Sequence, residues 1–263
     1  MENPFLSIIT INFNNLDGLK RTVRSVLDQT YTNYEHIIVD GDSTDGSKEF
    51  ISENSDHFRC WVSESDNGIF NAMNKGIDMA EGKYLLFLNS GDTLNGKDAL
   101  NEFIGHKEFR GDIVYGDYKF DNGHKVYADH LTPYYFVRTS LPHQSTLFKL
   151  RVFEIMGKYD ESYRIISDRV FFTASYLSGK FEFKHIRYPL VHFDLKGLSN
   201  NIEYRNQKLA EDDRMFRELF GIYYEDYMNM SQMERDLYIA RRNTLQGLIK
   251  RIKRKFMKWM GRS

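Results

Sequence analysis

The chain is poor in cysteine, in long apolar runs and in glycine-rich phosphate loops. One cysteine, Cys60, among 263 residues excludes a disulfide framework and a Cys-based zinc site. It fits a reducing compartment. No apolar run approaches the roughly 20 residues of a membrane-spanning helix. Met1-Glu2-Asn3-Pro4 carries neither a basic leader nor a long apolar core, so no secretory signal is expected. There is no GxGxxG and no GxxxxGK[ST], so neither a dinucleotide fingerprint nor a P-loop is supported. Residues 241–263 hold nine Lys/Arg and no acid. Net charge over the whole chain is -1, so the body before that tail is acidic and general nucleic-acid binding is not expected of it. No internal repeat or low-complexity segment is present.

What is present is strand–helix alternation with polar strand ends. Phe5–Asn12 is a β-branched apolar run, and a helix begins near Asp17 with Leu19, Val23, Val26 and Leu27 on one face. Tyr34–Asp40 is a second strand, followed by a polar loop in which Ser43 or Thr44 can cap the next helix. Cys60–Glu64 is a short third strand, and Ile69, Met73 and Ile77 stand at helical spacing before Gly82. Tyr84–Asn89 is a fourth strand that ends abruptly in Asn89-Ser90-Gly91-Asp92. Such alternation predicts a parallel, doubly wound sheet. In open α/β sheets ligands lie beyond the carboxyl ends of the strands. There this sequence places Thr10 and Asn12, Asp40 and Asp42, Asp66, and Asn89 and Asp92. Together they predict a nucleotide-type cleft. With no Gly-rich loop or Arg cluster nearby, a hard divalent cation at Asp92 would neutralise the phosphates.

Beyond the fourth strand, Asp112–Asp117 reads as another strand and Leu141–Phe148 as a loop entering a strand. Val152–Met156 reads as a short helix ending at Gly157. Asp168 stands at the start of a helix over 169–178, as an N-cap would. Two further strands are expected at 181–185 and 189–193, then a Gly-containing loop at 194–201 that could cover a ligand. From Ile202 onward the chain is predicted helical. Residues 202–220 form a solvated helix docked on the body. Leu245, Leu248, Ile249, Ile252, Phe256, Trp259 and Met260 make one apolar stripe opposite Lys and Arg. A basic amphipathic helix of that kind predicts contact with an anionic membrane surface through 245–263.

Four ordered motifs carry a family resemblance. They are Ser7–Asn14, Val39–Ser47 (Val39-Asp40-Gly41-Asp42-Ser43-Thr44-Asp45-Gly46-Ser47), Ser63–Gly76 with its Asp66-Asn67-Gly68, and Leu88–Asp92. Together they resemble the family 2 inverting glycosyltransferases of the bacterial surface-polysaccharide type. The resemblance runs from the first strand to the Gly197 loop. It implies the GT-A fold, an α/β, Rossmann-like architecture with a mostly parallel central sheet and flanking helices, here with a C-terminal helical extension. The implied organisation is a GT-A domain over 1–200, with nucleotide binding over about 1–117 and acceptor binding over about 118–200. The extension covers 201–263. By resemblance, Thr10 and Asp40 bind base and ribose, and Asp66 lies beside the nucleotide. Asn12, Asp42 and Asn89 are placed with them at the strand ends. The family's metal motif is usually Asp-x-Asp. Here Asn89 replaces its first carboxylate and Asp92 matches the metal position, with His192 as a second candidate ligand. Asp168 matches the family's catalytic base, although the usual Glu-Asp pair reads Ser167-Asp168 here. His143, in Pro142-His143-Gln144-Ser145, is placed at the diphosphate or the acceptor.

The expected activity is therefore inverting, Mn²⁺- or Mg²⁺-dependent transfer of a hexosyl or N-acetylhexosaminyl group. The donor would be a nucleoside-diphosphate sugar, UDP-linked, and the acceptor a glycan or lipid-linked molecule. The expected setting is surface polysaccharide or lipopolysaccharide biosynthesis, in the cytoplasm and peripheral on the inner face of the cell membrane. Two other readings share the cleft: a sugar-phosphate nucleotidyltransferase, and a non-catalytic sugar-nucleotide binder.

Overall fold

The structure is a computed structural model, and it describes residues 3–194, 202–244, 247–249 and 252. All of the expected 194–201 loop after Asp194, and nearly all of the basic stretch at 245–263, lie outside the described residues. The chain divides into two compact units, Met1–Met215 and Phe216–Ser263.

The first unit begins with β1 (Leu6–Asn12), β2 (Tyr34–Asp40) and β4 (Tyr84–Asn89), whose residues are almost all buried, and the half-buried β3 (Cys60–Ser63). They pair in parallel in the order β3-β2-β1-β4. Between them run α1 (Leu16–Leu27), α2 (Ser47–Glu53) and α3 (Ile69–Met79). Helix α1 starts where the Asn15 side chain accepts from Gly18 N, and it turns Leu19, Val23 and Val26 inward. Burying each such aliphatic side chain contributes roughly 1.5–3 kcal/mol. Neither Ser43 nor Thr44 caps α2. Asp45 does that work, its Oδ1 accepting from Ser47 N and Ser47 Oγ, while Ser43 turns back to Asp40.

The second half of the unit makes the sheet mixed. After β5 (Thr93–Leu94) and α4 (Ala99–Ile104) comes β6 (Ile113–Phe120), which ends three residues later than expected and folds back through β7 (Gly123–Lys125). The helix α5 (Pro133–Arg138) follows, capped by Thr132 and opened by its proline. Strand β8 (Thr146–Lys149) then leads into α6 (Leu150–Met156) and α7 (Ser167–Leu177). Strand β8 lies antiparallel to both β4 and β6. The two strands expected at 181–185 and 189–193 are one strand, β9 (Phe183–His192). Its register against β6 shifts between Gly116 and Asp117, opposite Ile186 and Pro189. The bulge accommodates a proline that a regular ladder would reject.

Helix α8 (Arg205–Phe220) opens the C-terminal extension, and α9 (Tyr224–Asn243) belongs to the second unit. The first half of α8 is more than a solvated face. Glu211 is buried, and its carboxylate accepts from three consecutive backbone groups, Arg164 N, Ile165 N and Ile166 N. Those are the donors that a helix start leaves unsatisfied. Among the described residues no helix is long and apolar enough to cross a membrane.

Candidate functional site

The parallel register puts the strand-end residues side by side. Asn12 stands opposite Asp40, Asp40 opposite Ser63, and Ile11 opposite Asn89. Beneath the surface they form one hydrogen-bonded network. Asp40 accepts four donors: Asn12 Nδ2 at 2.7 Å, Ser43 Oγ at 2.6 Å, Ser43 N at 2.9 Å and Ser63 Oγ at 2.7 Å. Asn12 Oδ1 in turn accepts from Ser90 Oγ at 2.7 Å. Thr10 is fully buried, with its hydroxyl 2.9 Å from His36 Nε2. Thr10, Asn12 and Asp40 are therefore engaged by their own chain. Asp42 is exposed, with a positive φ of 65°. Asp66 is half-buried, and its carboxylate lies across the end of β2. A Cβ at Gly41 would come within 2.6 Å of Asp66 Oδ2 and 3.1 Å of Phe13 Cδ2. A side chain there would have to displace the Asp66 carboxylate. Phe13 is 65% exposed beside them.

The turn after β4 is clamped by α1. Asn15 Nδ2 donates to Ser90 O at 2.8 Å. Gly91 N donates to Thr22 Oγ1 at 2.9 Å, and Thr22 Oγ1 donates to Asp92 O at 2.7 Å. Asp92 is only 1% exposed. Its Oδ2 accepts from Asn89 N at 3.2 Å and its Oδ1 from Asp194 N at 2.9 Å. Burial pushes its carboxyl from the usual 3.8 up to about 7, against the pull of those two N–H groups and of His143.

Across the cleft, Asp168 lies inside the first turn of α7, whose cap position is Ile166. It is therefore a helical residue, two positions past the cap. Asp168 Oδ1 accepts from Arg169 N at 2.8 Å, and Oδ2 lies 2.9 Å from His143 Nδ1. An ionised carboxylate only accepts, so Nδ1 carries the proton of that bond. The other ring nitrogen, Nε2, lies 3.3 Å from Asn89 Nδ2. A chain of contacts thus runs Asn89–His143–Asp168 across the cleft. Asn89 Oδ1 is buried with no partner among the described residues.

Asn89, Asp92, His143 and Asp168 line one cleft, together with Arg164 and Asp194. Four of the expected site residues are thereby brought together from positions far apart in sequence. His192 does not join them. It pairs across the sheet with Thr93, and its Nε2 lies 3.5 Å from Asp121 Oδ1. Sequence reasoning passed over Arg164, Asp194, Glu211 and Phe13. Only Phe13, an aromatic directly after a strand end, carried a readable local signal.

Oxygen donors dominate the Asp92 end of the cleft, and hard divalent cations take oxygen ligands. The donor set fits such an ion. Among the described residues no three His, Cys, Asp or Glu side chains converge as a closed metal site. Phosphate oxygens and water would have to complete the coordination.

Comparison with known proteins agrees with this architecture. Residues 7–174 match the family described as Glycosyl transferase family 2. An uncharacterized glycosyltransferase of Mycobacterium tuberculosis is 33% identical over 222 residues, covering 76% of this chain and 79% of that protein. A PGL/p-HBAD biosynthesis glycosyltransferase of the same species is 29% identical over 214 residues, covering 77% and 82%. Among solved structures, Staphylococcus aureus TarS 1–349 in complex with UDP-GlcNAc superposes with a TM-score of 0.62 at 18% identity. That match covers 84% of this chain and 72% of that one. The match to a longer TarS chain covers 43% of it. At such identities the structural likeness speaks for the fold, which is GT-A with a mixed, mostly parallel sheet and helices on its faces.

Proposed function

The chain belongs to glycosyl transferase family 2, and from that premise we propose that it moves a sugar from a UDP-linked donor to a hydroxyl of a glycan or lipid-linked acceptor, with inversion. The observation that carries the reading is the single cleft in which Asp168 faces the Asn89–Asp92 turn. The alternation of phosphate-type chemistry on one wall and a carboxylate base on the other is what a one-step displacement requires.

The nucleoside lies over the ends of β1 and β2. Phe13 offers an exposed ring face for the base, and Asp66 and Asp42 offer carboxylates to the ribose. Thr10, Asn12 and Asp40 act from beneath, holding those strand ends in register. We assign nucleotide binding to about 1–117, acceptor binding to about 118–200 and a helical extension to 201–263. The diphosphate lies along the Asn89–Asp92 turn. A Mn²⁺ or Mg²⁺ ion would be held by oxygen donors at this end of the cleft, where Asn89, Asp92 and Asp194 lie, and would supply positive charge to the departing diphosphate.

Asp168 takes the proton of the acceptor hydroxyl. That oxygen attacks the anomeric carbon from the face opposite the diphosphate, the glycosidic C–O bond forms, and the bond to the diphosphate oxygen breaks. Product and nucleoside diphosphate leave, and Asp168 returns its proton to water. His143 orients the base through Nδ1, and Arg169 N holds the other oxygen. Helix α7 presents the carboxylate on a rigid element, so little reorganisation precedes the proton transfer.

Similarity to a PGL/p-HBAD biosynthesis glycosyltransferase supports surface polysaccharide or lipopolysaccharide assembly as the setting. The basic, acid-free stretch at 245–263 supports a peripheral position on the anionic inner face of the cell membrane. A panel of sugar nucleotides with Mn²⁺, read for released nucleoside diphosphate, tests the activity. UDP-sugars should give nucleoside diphosphate. With a nucleoside triphosphate and a sugar phosphate supplied instead, release of pyrophosphate would mean nucleotidyl transfer, and release of nothing in either assay would mean a binder.

A further inference from the structure

Family motifs of the Asp-x-Asp type hold two carboxylates two residues apart, and at that spacing this chain has Asn89 and Gly91, with Asp92 one residue further on. The surviving carboxylate, Asp92, is buried and occupied at both oxygens by backbone N–H groups. It behaves as a brace for the turn. Gly91, one residue earlier, is the position whose missing side chain faces another group. A Cβ built there would lie 2.7 Å from Asp194 Oδ2, 3.2 Å from Asp194 Cβ and 3.3 Å from Asp194 Cγ. The φ of Gly91 is 114°, a left-handed value that favours glycine. So the turn has given up its side chain, and a carboxylate from 102 residues further along occupies the space.

We propose that Asp194 is the carboxylate that binds the divalent cation of the donor diphosphate, in place of the one missing from the Asn89–Asp92 turn. The proposal rests on the reading of the chain as a metal-assisted glycosyltransferase, and it names the residue that the motif does not. Three features support it. Asp194 lines the same cleft as Asn89 and Asp168. Its side chain keeps 24% exposure, unlike that of Asp92, so its oxygens reach the cleft. Its backbone is fixed by the 2.9 Å bond from Asp194 N to Asp92 Oδ1, which gives Asp92 a role: it pins the end of β9 to the turn. Asn89 Oδ1, buried and without a partner among the described residues, lies in the same wall as a neutral oxygen donor. Arg21 Nη2, 3.6 Å from Asp194 Oδ2, balances the carboxylate until a cation does so. The Arg21 side chain is 55% exposed and can turn into water.

The test is UDP binding by calorimetry, with and without Mn²⁺, alongside the Mn²⁺ EPR signal, on the full chain and on Asp194→Asn and Arg21→Gln. Asn is isosteric and leaves the backbone bond to Asp92 in place. Mn²⁺ should tighten UDP binding by the unaltered protein. Asp194→Asn should lose that gain by about 10- to 100-fold, the scale on which even residues behind metal ligands act, with Mn²⁺-free UDP binding unchanged. Arg21→Gln should keep it. An Asp194→Asn protein that retains the full Mn²⁺ effect overturns the assignment. A protein that binds UDP with no Mn²⁺ effect overturns it as well but leaves the donor reading standing. One that binds no UDP at all overturns both.

Discussion

Asp92 gives the most quantitative prediction. Its carboxyl lies at about 7 in the folded chain against 3.8 ordinarily, and burial is the largest cause. A carboxyl raised in this way favours the protonated form in the fold. Folding therefore takes up a proton between about pH 4 and pH 7. Its stabilising contribution is full below about pH 4 and is lost as pH rises through about 7. Each tenfold change in proton concentration is worth ~1.4 kcal/mol, so the ionised folded chain carries a cost of about 4 kcal/mol. Asn at 92 never ionises. Asp92→Asn gives up one acceptor to a backbone N–H, a cost of about 1–3 kcal/mol at every pH. The difference in stability between variant and parent isolates the ionisation. It should move in favour of the variant by about 3 kcal/mol between about pH 5 and pH 8, measured by urea unfolding in EDTA. Adding Mn²⁺ and UDP should flatten that dependence, because positive charge in the cleft favours the anion. A pH-independent difference would refute the burial argument.

Asp168→Asn should lower kcat by about 10²- to 10⁴-fold, the usual weight of a positioned base, with UDP affinity unchanged in calorimetry. Survival of full activity would remove Asp168 from the mechanism. Glu211→Ala strands three backbone N–H groups and should cost about 3 kcal/mol in urea unfolding. Its kcat should fall too, since residues 164–166 lead directly into the helix of Asp168. Wild-type kcat in a folded Glu211→Ala protein would contradict that coupling. Removing 245–263 should release the protein from anionic liposomes in a sedimentation assay, and unchanged pelleting would end the membrane proposal.

The parallel half of the sheet was legible because its signals are local. β-Branched runs, a 3.6-residue stripe on α1 and a polar residue at each strand end need no tertiary knowledge. The second half hid behind local contradictions. Arg187-Tyr188-Pro189 reads as a break, yet β9 runs through it because a bulge against β6 absorbs the proline. Ser43 looks like a cap and instead serves Asp40, with Asp45 capping α2. In the site, Asp168 and His143 were found through resemblance, and the structure brings them within hydrogen-bond distance. Asp194 could not be found that way. Its significance is a relation to Gly91 across the fold, and no pattern within either segment encodes it. Glu211 is one carboxylate among many on a charged helix, and only its burial distinguishes it.

Lone-pair accounting separates the carboxylates that brace this site from those that can do chemistry. An ionised carboxylate has about four acceptor positions. Asp40 uses four on its own chain and is fully buried, so a ribose could reach it only by breaking one of those bonds. Asp92 spends its two oxygens on the backbone of its turn and of residue 194. Asp168 accepts one donor at each oxygen and keeps 21% of its side chain open to the cleft, leaving capacity for an acceptor hydroxyl. Asp194 likewise remains accessible. In the proposed mechanism the braced pair fixes the geometry, and Asp168 and Asp194 face the substrate. A motif that has lost a carboxylate at position 89 need not have lost its charge, because Asp194 keeps part of its side chain exposed beside the turn.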